Sequence, residues 1–598
     1  MKFAFDHPLE EDFAYEAMPK QPVLHPWPER QDLAIPMAAI RALGVPKNRA
    51  VVDPFCGSGT TGIAAKRLGV HAYLGDINPL AKVFAEAGMG FNGSWDGEFL
   101  PEKVEDVGRE VRKVAAFKLR EIAGAENVSG WLWVRTVKSP SPEYAAVDVP
   151  LIRDFALDGR HGAWLEPIVG RDGWRFEVRT GEIPEIARKG LQYRKGGDFR
   201  CIMSGLPIER SYIEREISEG RGGFRLVAVL EDLPDGTHRF RVPDEDDVRR
   251  VRRVKVAFRP STPIGAGKVR ERFAPYGMVE WADFFLPRQI VVLETIIDSI
   301  LDTVGLSNEI VAALMIALGK LANRSSVLCS WNSARVCQNQ SITHDALKMA
   351  WSFFEMNPLR ESGGWMQCVG EVAATLKELC GQAKSKVKFC LGDVTEQDLP
   401  KAKSIFVTEL PMPGTGYPDD VNDFFYVWMR EGLRRLWQGE FETLATPKAG
   451  RIETHEQLVL ALRRLKSEQD RKFPAVFSFR YLPGRTREML VDILKAGWAV
   501  SALWLAGESV VVVARALPHG TETISRQEFR ELVRAELAAL PGDALADSPE
   551  STVLPALGRG LRALVGVKSV LRADGTECPA ELVCEDAMEV AANHYHLM

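Results

Sequence analysis

The sequence predicts an α/β protein whose main sheet is assembled from two parts of the chain that lie far apart. Short apolar strands alternate with helical stretches at residues 50–88 and again at 386–505, a rhythm typical of parallel strands joined by crossover helices. Neither part alone holds enough strands to close a hydrophobic core. We therefore expect one three-layer sheet domain, interrupted by a large mixed insertion and followed by a small C-terminal helical region.

The first block follows an irregular, proline-rich arm at residues 1–48. The arm ends in a short helix that Gly44 terminates, because glycine readily adopts the left-handed conformation of a helix C-cap. The next elements are predicted in order as a strand at 50–55, a helix at 59–69, a strand at 71–77 and a helix at 79–88. The first three form a βαβ unit, whose crossover is expected to be right-handed.

The insertion differs from both blocks in its pattern. Glycine and proline separate short alternating strands, for example at 174–181 and 224–232, and this indicates a β-rich module. Helical periodicity returns at 286–322, and we expect helices to continue to about residue 382, including one at 344–356.

The second block restores the strand and helix rhythm. Its predicted strands are 386–393, 403–410, 474–481 and 499–505, with a helix at 487–497. The resulting domain boundaries are 1–85 and 386–515 for the two halves of the sheet domain, 86–285 for the inserted β-rich module, 286–385 for a helical module, and 516–598 for the C-terminal region.

Composition sets the broad class of the protein. The 598 residues are 46% hydrophobic and 26% charged, which excludes wholesale disorder. Nine scattered cysteines suit reduced thiols better than a disulfide framework. The N-terminus lacks the basic and apolar regions of an export signal, and the most apolar stretch, 290–301, contains Glu294 and Asp298. We expect a cytoplasmic protein without a membrane partner.

The densest candidate site is the string Asp53-Pro-Phe-Cys-Gly-Ser-Gly-Thr60. It lies where the first strand turns into a helix, and its glycines leave room for a ligand to approach the backbone. Asp76 follows 23 residues after Asp53, at the end of the second strand, where a carboxylate can accept hydrogen bonds from both ribose hydroxyls. This spacing indicates an adenosine-containing cofactor.

The two strings DPFCGSGTT and GDINP resemble the S-adenosylmethionine motif of amino-methylating DNA methyltransferases, which make N6-methyladenine or N4-methylcytosine. Further stretches look like adenine-specific DNA methylases containing a zinc ribbon, a family often found beside phage-defence genes. These stretches are YGMVEWADFFLPRQ at 276–289, LANRSSVLCSWN at 321–332, FFEMNP at 353–358 and VNDFFYVWMR at 421–430. The resemblance implies a Rossmann-like methyltransferase sheet, S-adenosylmethionine as cofactor, and DNA and defence-system proteins as partners.

The resemblance also assigns roles to individual residues. Asp53 would orient the methionine moiety, Gly57 and Gly59 would line it, and Asp76 would hold the ribose. Phe55 and Thr60 belong to the same cofactor-binding string. Asp393, after the strand at 386–391, falls where the family contacts the adenine amine; a plain helix N-cap is an equally good interpretation of that residue.

One catalytic motif departs from the family. An Asp-Pro-Pro-Tyr motif, which grips the amine of a flipped base and stacks on its ring, is replaced by Glu409-Leu410-Pro411-Met412. The longer Glu409 side chain displaces the carboxylate, which can cost about 100-fold, and Met412 lacks a ring, which costs roughly 1 to 3 kcal/mol of stacking. The sequence therefore predicts methyl transfer impaired by about three orders of magnitude or more, unless the site is rebuilt.

The zinc ribbon is degenerate as well. Its corresponding stretches contain Ser139 and Ser141, then Cys201 and Ser204, and one thiolate cannot hold a structural zinc. We predict no metal. The basic run at 248–259 could follow a phosphate backbone, but the acids at 244–247 favour a solvated helix face.

Three functions remain open at this point. The first is an active DNA amino-methyltransferase that uses Glu409 as the amine acceptor. The second is a catalytically silent DNA-binding or scaffold subunit of a restriction or phage-defence complex. The third is methylation of RNA or a small molecule, since no residue in the sequence separates the two nucleic acids.

Overall fold

A computed structural model of the chain describes its residues with several gaps. The described residues are 9, 13, 15–16, 24–27, 30–89, 100–122, 127–194, 197–343, 346–360, 364–379, 385–400, 403–415, 419–437, 439–447, 450–482, 484–516, 522–538, 549–564 and 567–594. Most of the predicted N-terminal arm therefore lies outside them. The chain divides into two units: unit 1 is 1–98, 375–417 and 447–598, and unit 2 is 99–374 and 418–446.

Unit 1 contains a seven-stranded sheet that joins both predicted blocks. Its strands are β1 (Ala50–Asp53), β2 (His71–Asp76), β3 (Val387–Leu391), β4 (Ser404–Glu409), β5 (Ala475–Arg480), β6 (Ala499–Ala506) and β7 (Ser509–Arg515). They lie in the order β3-β2-β1-β4-β5-β7-β6. The prediction of a single sheet built from two blocks of an α/β protein is confirmed.

The sheet contains both parallel and antiparallel strand pairs. Strands β3, β2, β1, β4 and β5 pair in parallel, whereas β7 pairs antiparallel with both β5 and β6. The crossover helices in unit 1 are Thr60–Arg67, Pro79–Met89, His455–Glu468 and Arg485–Lys495, and the helix Ala34–Leu43 precedes β1. Gly44 ends that first helix in the left-handed conformation, with a φ of 56°, as predicted.

The C-terminal residues of unit 1 contribute to the same core. Helices Arg526–Ala538, Pro549–Arg562 and Ala580–His594 accompany a parallel pair of strands, Glu522–Ser525 and Val567–Leu571. Phe529, Leu557 and Cys584 are buried in one hydrophobic cluster with Val512 and Phe477 of the sheet. The region after residue 516 is thus packed on the sheet and mixes helices with strands.

Unit 2 is built mainly of antiparallel strands. One sheet has the order His238–Arg241, Gly223–Asp232, Val128–Lys138, Ser352–Met356, and Asp148–Leu151 also pairs with Val128–Lys138. A second sheet contains Ala156–Asp158, Ala163–Gly170 and Gly173–Thr180, and a third contains Gln192–Arg194, Asp198–Arg200 and Pro207–Ile208. The predicted β-rich character of the insertion matches these elements.

The described part of unit 2 also contains helices and two short hairpins. The helices are Leu100–Leu119, Arg210–Ser218, Glu245–Arg252, Lys268–Phe273, Pro287–Leu301, Asn308–Asn323 and Asp419–Leu436, while Trp365–Leu379 extends into unit 1. The hairpins pair Trp331–Asn332 with Cys337–Gln338 and Ile342–Thr343 with Ala346–Leu347. Among the described helices, none combines the length and the apolar character that crossing a membrane requires.

The helix predicted at 344–356 is wrong. The described residues of this stretch form the strands Ala346–Leu347 and Ser352–Met356. Phe353 and Phe354 pair with Trp133 and Leu132, and both phenylalanines are buried. A strand covered on both faces reads as a continuous apolar run, which periodicity alone does not distinguish from a helix.

Candidate cofactor and target-base site

The order of the parallel strands reverses between β1 and β4, which are neighbours in the sheet although Ser404, the partner of Ala50, lies 354 positions later in the chain (404 − 50 = 354). In open α/β sheets, ligands bind outside the carboxyl ends of the strands at such a switch point. Asp53 ends β1, and Glu409 ends β4. The hydroxyl of Thr408 donates a 2.6 Å hydrogen bond to Oδ1 of Asp53, so the two predicted motifs meet at this edge.

The glycine loop after β1 has the backbone that its sequence requires. Gly57 and Gly59 have φ values of 49° and 81°, a left-handed region that favours glycine. A Cβ at Gly57 would lie 3.1 Å from Nε1 of Trp27, and one at Gly59 would lie 3.0 Å from Cε of Met89. Gly59 directly precedes the helix Thr60–Arg67, so the loop presents its backbone at a helix N-terminus.

Asp76 holds the glycine loop to the end of β2. Its Oδ2 accepts a 2.8 Å hydrogen bond from the Gly57 amide, and its Oδ1 accepts one of 2.8 Å from the Asn78 amide. A carboxylate oxygen accepts two hydrogen bonds, so each oxygen keeps capacity for a hydroxyl. Burial raises the pKa of Asp76 to about 6, against the opposing effects of backbone hydrogen bonds and the positive charge of Arg451.

Asp53, at the end of β1, is the one acid of the string from Asp53 to Thr60. It is buried, and it accepts hydrogen bonds from the Phe55 amide at 3.1 Å and from Thr408. Burial raises its pKa to about 6. Burial likewise raises the pKa of the neighbouring Cys56 thiol well above its ordinary value, which makes this cysteine a poor nucleophile.

The remaining residues of the string lie beside these acids. Phe55 is half-buried against the hydrophobic core of unit 1. Thr60 is buried, and its hydroxyl is 3.1 Å from the hydroxyl of Ser58. All six predicted residues from Asp53 to Asp76 are therefore brought to one end of β1 and β2.

Asp393 lies close to the same edge. The amide of the preceding Gly392 donates a 2.9 Å hydrogen bond to the carbonyl of Asp76. Oδ1 of Asp393 accepts hydrogen bonds of 2.7 Å from both the amide and the hydroxyl of Thr395. Residues 394–396 form a turn, so this aspartate caps a turn instead of the helix considered above.

Gln397 is a site residue that the sequence analysis missed. Its buried amide nitrogen donates to the carbonyl of Gly392 at 2.9 Å and approaches the carbonyl of Pro54 at 3.4 Å. A Cβ at Gly75 would lie only 2.2 Å from its Oε1. Gln397 therefore ties the loop after β1 to the loop after β3, and β2 needs a glycine to accommodate it.

Thr408 and Arg451 are two further residues near the site that the sequence analysis missed. Each is a common residue without a local motif, and each becomes relevant only through a partner more than 350 residues earlier in the chain. Sequence spacing carries no signal for such contacts.

Residues 409–412, which the sequence resemblance predicts to stand in place of a catalytic motif, continue the sheet. The Leu410 amide donates a 2.7 Å hydrogen bond to the carbonyl of Ser478 on β5, and the Leu410 side chain is 2% exposed. Glu409 and Pro411 are half-buried at the strand end. Met412 packs partly against the hydrophobic core of unit 1.

The degenerate ribbon positions also meet, within unit 2. The Ser139 hydroxyl lies 3.3 Å from the Cys201 thiol, and both side chains are buried. Serine and cysteine thus form a polar contact at the positions where the sequence resemblance predicts the remains of a metal ribbon. The prediction that this ribbon binds no zinc stays a prediction.

The basic run at 248–259 pairs with acids nearby. The helix Glu245–Arg252 begins with a capping box formed by Asp244 and Asp247. Arg249 and Arg250 both form ion pairs with Asp246. These contacts favour the interpretation of the run as a solvated, charge-balanced helix face.

Residues 33–85 match the model of a family described as DNA methylase. The matched segment contains the first helix, the glycine loop and both acids Asp53 and Asp76, and it ends well before Glu409. This match confirms the resemblance to amino-methylating DNA methylases for that part of the chain. No curated protein and no solved structure matches the sequence.

Proposed function

We propose that this chain is an S-adenosylmethionine-dependent DNA methyltransferase-family protein of the N6-adenine or N4-cytosine type, with slow methyl transfer. The observation that carries the proposal is the hydrogen bond between Thr408 and Asp53. It joins the matched DNA methylase segment to the strand end that bears Glu409, at the switch point where α/β sheets bind ligands. The strand order β3-β2-β1-β4-β5 supports a Rossmann-like methyltransferase sheet.

The acceptors at the ends of β1 and β2 suit this cofactor. Asp76 has free acceptor capacity for two ribose hydroxyls, and Asp53 supplies a negative charge for the methionine ammonium group. Gly57 and Gly59 place no side chains at two positions of the loop that follows Asp53, and their positive φ values set its backbone conformation. When bound, the cofactor supplies an electrophilic methyl group; the protein's part is to bind it and exclude competing orientations.

On the target side, Glu409 would accept the hydrogens of the base amine. This assignment rests on its place at the end of β4 and on its carboxylate, the group that the family also uses at that position. Met412 offers no ring face for stacking, so the flipped base would be held less firmly. We therefore propose DNA as the substrate and slow transfer as the consequence.

A silent DNA-binding or scaffold subunit of a restriction or phage-defence complex is the second candidate. It is favoured by Leu410, whose amide extends the β4 ladder to Ser478 and whose side chain enters the core. Proline, which lacks an amide hydrogen, would leave that ladder position open. The segment at 410–412 thus serves packing in addition to any catalytic role. In either case, we propose action on DNA in the cytoplasm.

Two measurements on the full-length chain test the proposal. S-adenosylmethionine is titrated by calorimetry, and transfer of labelled methyl groups to methylation-free duplex DNA is followed with protein in excess. We expect one cofactor per chain and slow incorporation that Glu409→Ala abolishes. Cofactor binding without any incorporation would select the silent subunit, and the absence of cofactor binding would reject the methyltransferase proposal.

The pH dependence of cofactor binding follows from the two raised pKa values. Asp53 and Asp76 both titrate at about 6, and both must be ionised to accept the cofactor. At pH 5 only about a tenth of each is ionised. We therefore expect the Kd for S-adenosylmethionine to fall by about tenfold or more between pH 5 and pH 7, then to stay level.

Calorimetry across pH 5–8 in buffers of constant ionic strength measures this change. Asp76→Asn is the comparison variant: it removes one of the two titrating carboxyls, so only the ionisation of Asp53 remains and the change in Kd with pH should be smaller than in the natural chain. A Kd that does not change over this range would contradict the assignment of Asp53 and Asp76 to the cofactor site.

A further inference from the structure

Three polar side chains of unit 2 converge away from the site described above. Oδ2 of Asp158 lies 2.9 Å from Nδ1 of His161 and 3.0 Å from Nε2 of His238. Ligand-capable atoms of all three residues lie within 4.8 Å of one another. No local sequence motif signals this cluster, because His238 is 80 residues from Asp158.

The fold fixes the carboxylate before any ligand binds. Asp158 ends the strand Ala156–Asp158, and its Oδ1 accepts hydrogen bonds of 2.8 and 2.9 Å from the amides of Arg160 and His161. The turn that follows requires Gly162, whose φ is 72° and whose Cβ would lie 2.0 Å from the carbonyl oxygen of Gly181. These contacts leave Oδ2 directed at the two imidazoles.

The charge and exposure of the cluster suit a cation. Oδ1 of Asp158 accepts the amide hydrogen bonds of Arg160 and His161, and its Oδ2 contacts both imidazoles, so polar groups surround both oxygens of the carboxylate. Its side chain is 4% exposed, whereas that of His161 is 73% exposed. A buried anion therefore faces solvent through the two imidazole rings.

The distances also suit a coordination sphere. Imidazole nitrogen and carboxylate oxygen bind Zn²⁺ at about 2.0 to 2.2 Å. Bond angles between 90° and 109° then place neighbouring ligand atoms about 2.9 to 3.5 Å apart. The two separations at Oδ2 fall within that interval. Two histidines and one carboxylate form a ligand set that divalent transition metals accept, with open positions for water.

We propose that Asp158, His161 and His238 form a binding site for a divalent transition-metal ion such as Zn²⁺. Oδ2 of Asp158, Nδ1 of His161 and Nε2 of His238 coordinate the ion, and water completes its sphere on the exposed side. Both ligating nitrogens then lack a proton, whereas a purely hydrogen-bonded cluster needs a proton on each. The site is separate from the Ser139 and Cys201 positions of the degenerate ribbon.

The ion would link two sheets of unit 2. Asp158 ends a strand of the sheet that contains Ala163–Gly170 and Gly173–Thr180. His238 begins a strand of the sheet that contains Val128–Lys138. A metal that binds both residues stabilises the folded unit by preferring it to the unfolded chain. This role is structural and does not depend on the proposed methyltransferase activity.

Calorimetric titration of Zn²⁺ into the metal-free, full-length chain tests the site. We expect a stoichiometry of one and an affinity at least tenfold lower in His161→Ala, a substitution of an exposed ring that leaves the core intact. His455→Ala is the matched control, because that imidazole also contacts an aspartate, Asp492, at 2.5 Å but belongs to no three-ligand cluster among the described residues. The His455→Ala variant should bind Zn²⁺ with the same affinity as the natural chain.

The Tm of thermal unfolding gives a second readout, which is independent of the heats measured in the calorimetric titration. Zn²⁺ should raise the Tm of the natural chain, of His455→Ala and of Cys201→Ser, but not of His161→Ala or His238→Ala. Equal Zn²⁺ affinity in the natural chain and in His161→Ala would overturn the proposal, as would the absence of any stoichiometric binding. Loss of binding in Cys201→Ser would instead assign the metal to the ribbon.

Discussion

Replacing Glu409, Leu410 and Met412 by Asp, Pro and Tyr is expected to raise single-turnover methyl transfer by about three orders of magnitude. A shorter carboxylate at 409 restores the distance to the base amine, since misplacement by about 1 Å can cost 100-fold. A tyrosine ring at 412 restores stacking worth roughly 1 to 3 kcal/mol, or about 10- to 100-fold. Incorporation of labelled methyl groups into duplex DNA measures the change.

The proline substitution carries its own risk, because it removes the hydrogen bond from Leu410 to Ser478 and a buried side chain. The double variant Glu409→Asp with Met412→Tyr keeps both and should recover most of the rate. Adding Asp76→Ala to the restored chain should silence it again. If the double and triple variants transfer methyl groups no faster than the natural chain, the loss of activity lies elsewhere than at residues 409–412.

Asp76→Ala is expected to weaken S-adenosylmethionine binding by about 100- to 10,000-fold. Each hydrogen bond to a charged group contributes about 1.5 to 3 kcal/mol, and Asp76 is assigned two of them to the ribose. The substitution also releases the Gly57 amide, which Asp76 holds at 2.8 Å. Isothermal calorimetry at pH 7.5, above the pKa of both site carboxyls, measures the loss.

Asp154→Ala provides the matched control for this prediction. Asp154 accepts a 2.8 Å hydrogen bond from the amide two residues later, as Asp76 does from Asn78, but it lies in unit 2. Its substitution should leave the Kd unchanged. Asp393→Ala should weaken binding by only about tenfold, because that residue is assigned a single contact to the adenine amine. A Kd for Asp76→Ala within threefold of the natural chain would reject the ribose role.

Local sequence patterns predicted the first half of unit 1 well. The strand, glycine loop, helix and second strand between Ala50 and Asp76 lie where the sequence places them. Here the elements are short, the turn residues are glycines with positive φ, and the contacts of Asp76 reach only to Gly57 and Asn78. Such a unit is specified by residues close together in the chain.

The prediction failed where burial removes periodicity. Ser352–Met356 is a strand within a predicted helix, and β7, a run of valines from Ser509 to Arg515, was not predicted. Both strands are largely buried, and continuous apolar runs do not reveal their secondary structure. Strand β7 pairs antiparallel with β6 across the connection Gly507-Glu508, and its other antiparallel partner, β5, lies earlier in the chain.

The sequence by itself determined the α/β class and the resemblance of residues 33–85 to DNA methylases, including the glycine loop with Asp53 and Asp76. The roles of Glu409–Met412 and of the serine and cysteine positions at 139 and 201 stay predictions. These conclusions rest on residue identity and on local patterns, such as the spacing of 23 residues between Asp53 and Asp76. The tertiary structure decided that Thr408 binds Asp53, that Gln397 joins two loops, that Leu410 extends a strand, and that two histidines meet Asp158. Apart from the local contact between Asp158 and His161, those contacts join residues 68 to 355 positions apart (478 − 410 = 68), and only the folded sheets bring them within hydrogen-bonding distance.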